Sequence, residues 1–266
     1  MNNLFESRSS AALLFQADLA KLAAVFGHYA RAIQCLESPH TTCSDVYLYW
    51  LAIVSQMSQL LKGNTVELED ETKARIREIT NMRFNQMINK APNDPYITAF
   101  YLHPGMYPNM PQSPIVALII WPEYRGANIY SNINPLDVPE VRISISRSAA
   151  SKVIPPEEQI ATRITKALGH ILMHEYGNTY DGKRSDEEAA EMMKSRNPRL
   201  AGILPRDAVV ELKTQLADYR LRVDPFNRPM RAGETALGWW TSVQKNPHAQ
   251  VLGVSPFTYR SSDLHL

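Results

Sequence analysis

Helical periodicity constrains this chain more than any other feature: it fills the first hundred residues and returns after residue 156. Between residues 10 and 36, Leu14, Leu22, Val25, Phe26, Tyr29 and Ile33 recur at the three- and four-residue intervals that line one side of an α-helix. The segment SPHTT interrupts the pattern. A second helix follows, with Ser44 and Asp45 as candidate N-caps and Gly63 as its C-terminal stop. It carries Val46, Tyr49, Trp50, Ile53, Val54, Met57 and Leu60, so most of its faces are apolar and it is expected to be buried. A third helix, over residues 69–90, turns Ile76, Ile79, Phe84, Met87 and Ile88 inward among interspersed charges. Asn93, Asp94 and Pro95 begin a short helix through Ala99 and Phe100, because proline suits a first turn whose N–H groups have no partner anyway.

Residues 103–156 have a different character. Prolines cluster there, from Pro104 to the pair Pro155 and Pro156, and no helical period is sustained. The run 114–121 (PIVALIIW) fits a short helix or a buried strand equally well. VRISIS alternates like a strand, but one strand makes no sheet. The stretch reads as an irregular, extended connector, mobile around residues 144–153. Helices are expected again at 156–176, which opens with proline and two glutamates and ends at Gly177, and at 186–194, 207–221 and 235–243. The tail from Gly253 to Leu266 has no periodicity and is expected to fray. The fold expected is mostly α with little or no sheet. It divides into a helical region 1–102, a proline-rich connector 103–156, a C-terminal helical region 157–252 with a Trp-Trp motif, and a flexible tail 253–266.

Composition narrows the function. Hydrophobic residues at 44% and charged residues at 21% suit a globular chain with a real core. Lys and Arg number 28 against 27 acids, a formal charge of +1, whereas a protein that grips phosphates usually shows a basic excess. The arginine-richer stretch 142–231 interleaves acids and reads as a mixed, solvated surface. Two cysteines, Cys35 and Cys43, are too few for a disulfide framework and are expected reduced. The N-terminal MNNLFESRSSAALLFQ lacks the basic-then-apolar order of a secretory signal. No uninterrupted apolar run approaches the roughly 18 to 20 residues that span a bilayer, and PIVALIIW falls far short. A soluble intracellular chain with no membrane partner is expected.

Motifs that carry chemistry are incomplete. His170 and His174 stand one helical turn apart, the spacing by which zinc hydrolases converge two imidazoles on one ion, and Glu175 follows. The glutamate that such motifs carry between the histidines is absent, with Leu172 and Met173 at intervening positions, and no third ligand stands out downstream, so packed or exposed helix histidines are the better reading. Cys35 and Cys43 with His28 and His40 fit no standard zinc spacing and are expected to be small buried hydrophobes. No nucleophile elbow, Walker loop or dinucleotide fingerprint is present. The acids Glu69-Asp70-Glu71 and Asp186-Glu187-Glu188 sit at helix starts, where they complement the helix dipole. No metal and no cofactor is expected.

The order of three segments brings a family into view. ARAIQCLESPHTTCSDVYLYWLAIV, then ITNMRFNQMINKAPNDPYITAFYLHPGMY, then PFNRPMRAGETALGWWTSVQKNPHAQVLG resembles the hAT-superfamily transposases, particularly their degenerate fungal members. In that family a helical domain is inserted into a ribonuclease-H-like core. The insertion closes on Asp-Pro followed by Leu-Asp-Pro-Arg-Phe. Asp94 and Pro95 match the opening; Leu102 and Pro104 match the close. His103 stands where the family has aspartate and Gly105 where it has arginine. Trp239 and Trp240 resemble the tryptophan motif that begins the family's dimerisation region. The similarity runs from about Phe26 to Leu252, with little from the proline-rich middle.

The resemblance implies ancestry rather than activity. The family holds two magnesium ions with two aspartates before the insertion and a glutamate after the tryptophan motif, and strand transfer needs all three. This chain offers Glu6 and Asp18 on one side and Asp263 on the other. The expected function is therefore that of a truncated or domesticated transposase-like protein with no catalytic residues, acting as a scaffold or interaction remnant. The alternatives are a DNA-associated module and, more weakly, a metal-dependent hydrolase built on His170 and His174; the location expected is nuclear, as the resemblance implies, or cytoplasmic. Adjacent helical residues point about 100° apart, so one indole of Trp239 and Trp240 is expected outside the core. It would form an apolar patch with Val251 or Leu252, favouring self-association or a protein partner.

Overall fold

The structure is a computed structural model that describes residues 9–63, 66–92, 94–105, 136, 156–177 and 184–254. It is mostly helical, with no strand among the described residues. PIVALIIW, VRISIS, nearly all of the proline-rich connector and the tail beyond residue 254 lie outside them. Two compact units are present. Unit 1 comprises residues 1–91 and 114–152, and unit 2 comprises residues 92–113 and 153–266.

Unit 1 is built on α1 (Ser10–Leu36), α2 (Cys43–Lys62) and α3 (Asp70–Phe84), the last continued by a π-helical turn, Asn85–Asn89. The start of α1 is capped by Ser9, whose hydroxyl accepts from the Ala12 N–H. The cap of α2 is Thr42, slightly earlier than the sequence pattern indicates. Asp45 occupies the third helical position and accepts the Thr42 N–H at 2.8 Å, completing a capping box. Ala32, Ile53, Met57, Leu60 and Leu68 form the core, with Val25, Tyr29, Trp50 and Ile76 packed against it. Phe84 closes the other end, edge-on to Trp50 with centroids 6.0 Å apart.

Three expectations for unit 1 need correction. Phe84 and Ile88 are buried as expected, but Ile79 and Met87 are exposed. The π turn after Phe84 adds a residue to one turn and so rotates the side chains beyond it, while Ile79 faces a gap between α1 and α3. Neither cysteine is a buried hydrophobe: Cys35 is exposed and Cys43 half-buried. Finally, α1 is long and apolar enough to cross a membrane by length and composition. Asp18, Lys21, His28 and Arg31 break it into short apolar runs, which conceals how apolar the helix is as a whole.

Unit 2 contains α4 (Pro95–Tyr101), α5 (Pro156–Glu175), α6 (Asp186–Arg196), α7 (Pro205–Leu221), α8 (Ala236–Val243) and α9 (Gln250–Val254). Asp94 enters α4 with φ +50°, and its carboxylate accepts a 2.5 Å bond from the Arg163 guanidinium of α5. Ser185 and Glu188 form the capping box of α6, so the acids at this start bond backbone as well as complement the dipole. Leu102, Ile164, Leu168, Leu172, Leu212 and Leu216 are completely or almost completely buried. Gln215 of α7 is buried among them, and its Oε1 accepts the Leu252 N–H at 2.9 Å, tying α9 down. Gly253 makes that docking close: a Cβ there would lie 2.6 Å from Gln244 Cβ.

Gly253→Ala is therefore expected to lower unfolding free energy by about 1–3 kcal/mol, the usual range for overpacking, as read from a urea melt. A change below about 0.5 kcal/mol would show that α9 docks less tightly than this contact requires.

Candidate functional site

The tryptophan pair is core, not surface. Trp239 and Trp240 are each 1% exposed, and Val251 and Leu252 are equally buried. The expected apolar patch does not exist at these four residues, and the reason is the cover on both arcs of α8. Trp240 stacks on Tyr219 of α7 at 5.6 Å and meets Phe226 at 6.1 Å. Its indole N–H donates to the Leu102 carbonyl at 2.9 Å. Trp239 lies edge-on to Trp240 at 5.1 Å and donates to the Arg228 carbonyl at 2.9 Å. The Arg228 guanidinium sits 5.6 Å from the centre of the Trp239 ring and bonds both Glu234 carboxylate oxygens, at 2.7 and 3.1 Å. Those bonds, with the Arg231 N–H, hold the Glu234 carboxyl below its ordinary range. Residues 224–235, which hold Phe226, Arg228 and Glu234, show no helical period, so sequence patterning missed the cover they supply.

His170 and His174 both lie on the exposed side of α5. Glu175 turns instead to Asn197, accepting its side-chain N–H at 3.2 Å, and the His174 carbonyl accepts from Arg196 at 2.7 Å. Among the described residues no group of three His, Cys, Asp or Glu side chains converges as a metal site would require. Cys35 bonds the Tyr49 hydroxyl, which is pushed up to about 12 by that bond first and by burial second. Burial also raises the Cys43 thiol, opposing the thiolate form that nucleophilic chemistry needs. At the insertion-like motif, Leu102 and Pro104 are buried, while the His103 ring accepts the Gly105 N–H at 3.1 Å. A Cβ at Gly105 would come within 3.2 Å of both His103 and Met230, so the family's arginine would require these neighbours to shift.

The concave surface that stands out in unit 1 is one the sequence did not mark. A groove of about 740 Å³ runs between α1 and α3. One wall is Leu22, Val25, Phe26 and Ile33, the other Ile76 and Ile79. On its floor the Tyr29 hydroxyl meets Thr80 Oγ1 at 2.7 Å, and Thr80 in turn donates to the Ile76 carbonyl at 2.8 Å. These polar atoms are spent on one another, and burial raises the Tyr29 hydroxyl further from ionisation. Asp18, Lys21, Glu69 and Arg83 stand at the rim. Such a lining offers apolar contact with a balanced charged edge and no nucleophile aimed inward. It suits a side-chain-rich partner better than a reaction. The apolar half of the α1 pattern was visible in the sequence; its pairing with Ile79 across a gap was not.

No family model matches this sequence, no curated protein matches it, and no solved structure matches it.

Trp239→Ala and Trp240→Ala are each expected to cost about 3–5 kcal/mol of stability, the range for emptying a buried aromatic site. Similar losses in thermal melts of the two variants would agree with two core rings; a loss below about 1 kcal/mol at either would return that ring to the surface. His174→Ala, on an open helix face, is expected to change stability by less than about 0.5 kcal/mol. Elemental analysis of the wild type and of His174→Ala is expected to find no stoichiometric zinc in either.

Proposed function

We propose that this chain is a non-catalytic helical scaffold of hAT-transposase descent that works by binding an apolar helical surface in the α1–α3 groove. The observation that carries the binding role is the groove itself. Large apolar side chains left open to water in one contiguous face are expensive unless something covers them, and monomers rarely keep such faces. The lining supports an amphipathic helix as the occupant: aliphatic and aromatic walls take anchors at helical spacing, and mixed charges at the rim meet the polar side of such a helix. Descent rests on the ordered segments that resemble the family. The near-neutral charge favours a protein partner over duplex DNA.

A fluorescent amphipathic helical peptide of zero net charge, with Leu and Phe at three- and four-residue spacing, tests the binding role by polarisation. Saturable binding is expected, weakened at least about tenfold by Phe26→Glu or Ile79→Glu while melting temperature is retained. Binding unaffected by both substitutions would remove the groove from the account. No magnesium- or manganese-dependent nicking or strand transfer on DNA is expected from the pure protein. Metal-dependent cleavage that co-purifies with the wild-type chain and is lost on mutation of its own carboxylates would refute the non-catalytic reading.

A further inference from the structure

We infer that the occupant of this face is a second copy of the same chain, docked through the same stripe of α1. The inference rests on the scaffold reading and specifies its partner. Phe15, Leu19, Leu22, Phe26 and Ile33 are each more than half exposed, and they lie on one side of α1. Together with the partly buried Tyr29, they alternate intervals of four and three residues, the spacing of a coiled-coil seam. On a helical wheel the five fall within about 60° of one another, at 100° per residue. Asp18, Lys21, His28 and Arg31 lie outside that arc, and exposed Ala23 and Ala30 extend it. The face beside the seam is thus smooth enough for close approach of another helix.

Area and charge both favour a self-partner. The two seam phenylalanines alone leave roughly 200 Å² open, taking half of about 200 Å² for each, and Leu19, Leu22 and Ile33 add to it. The flanking alanines and the Ile79 wall bring the face toward the ~800 Å² per partner that a stable interface buries. A two-fold contact sets each rim residue against the rim of an identical surface, so the rim must complement itself. Asp18 and Glu69 with Lys21 and Arg83 give it two charges of each sign. The Phe, Leu and Ile side chains of the stripe are a ridge on α1 and, at Leu22, Phe26 and Ile33, one wall of the groove, so each copy offers both shapes. A bilayer is the competing cover for so apolar a helix. It fits less well: a span would draw the Asp18–Lys21 pair, 3.3 Å apart, into the membrane with His28 and Arg31.

The test is sedimentation equilibrium of the full chain from about 1 to about 100 μM, where mass action moves a dimer into view. A dimer is expected, with Leu22→Glu and Phe26→Glu each weakening its dissociation constant at least about tenfold at unchanged helical circular dichroism. Leu237→Glu, at an exposed leucine of α8 in unit 2, is expected to leave the dimer intact. A wild-type monomer throughout the range overturns the inference, as does a dimer indifferent to both α1 substitutions or equally sensitive to Leu237→Glu. A monomer that pellets with phosphatidylcholine vesicles and loses this with Phe26→Glu overturns it in favour of a membrane. The amphipathic peptide separates the two levels. A monomer that still binds it in a Phe26-dependent way sinks the self-partner and leaves the scaffold reading standing; a monomer that ignores it sinks both.

Discussion

Unit 2 depends on a hydrogen bond between residues 138 apart in sequence: the Trp240 indole N–H on the Leu102 carbonyl. A buried indole needs a partner for its one donor, and the carbonyls at a helix end have no partner within the helix. Leu102 caps the short helix α4, so each group answers the other's need. Once that bond is made, the rest of the aromatic set has its place. Tyr219 stacks on Trp240 and donates to the neighbouring Tyr101 carbonyl at 3.3 Å. Phe226 meets both rings. Four aromatic residues from distant segments thereby hold α4, α7 and α8 in one packed body.

Unit 1 is governed by a different balance. Its core is aliphatic and modest, while its longest helix keeps most large side chains toward water. The inward side of α1 uses small or half-buried residues, Ala24, Ala32, Val25 and Tyr29, against α2. The larger side chains face away. This is the reverse of an ordinary amphipathic surface helix, where the bulky apolar side seeks the core. The hydrophobic effect acts on both sides, but among the described residues only one is covered. The proposed binding role rests on that asymmetry.

Two of the places where sequence reasoning failed share a cause. At Trp239 and Trp240 the 100° divergence of neighbouring residues is sound geometry, yet it says nothing about the cover on either side. Cover came from Phe226, Arg228 and Glu234, in a segment without periodicity. For α1, counting uninterrupted apolar runs missed a helix whose charges lie off its apolar stripe. Its exposed stripe became visible only when Val25, Tyr29 and Ala32 proved to be the inward side.

Local features were readable from residues alone because local physics decides them. The bounds of α1, the stop of α2 at Gly63, the Asp94-Pro95 entry of α4 and the end of α5 at Gly177 follow from caps, prolines and a glycine with φ +63°. These depend on interactions within a turn or two of chain. Periodicity likewise told that the protein is mostly α, since a 3.6-residue repeat cannot be satisfied by a strand. Which face of a helix is covered is another matter. It depends on contacts such as Trp240 with Leu102 and Tyr29 with Thr80, 138 and 51 residues apart. A helix can present either of two apolar arcs with the same local energy. Only packing against particular neighbours chose to bury both tryptophans and to leave the α1 stripe open.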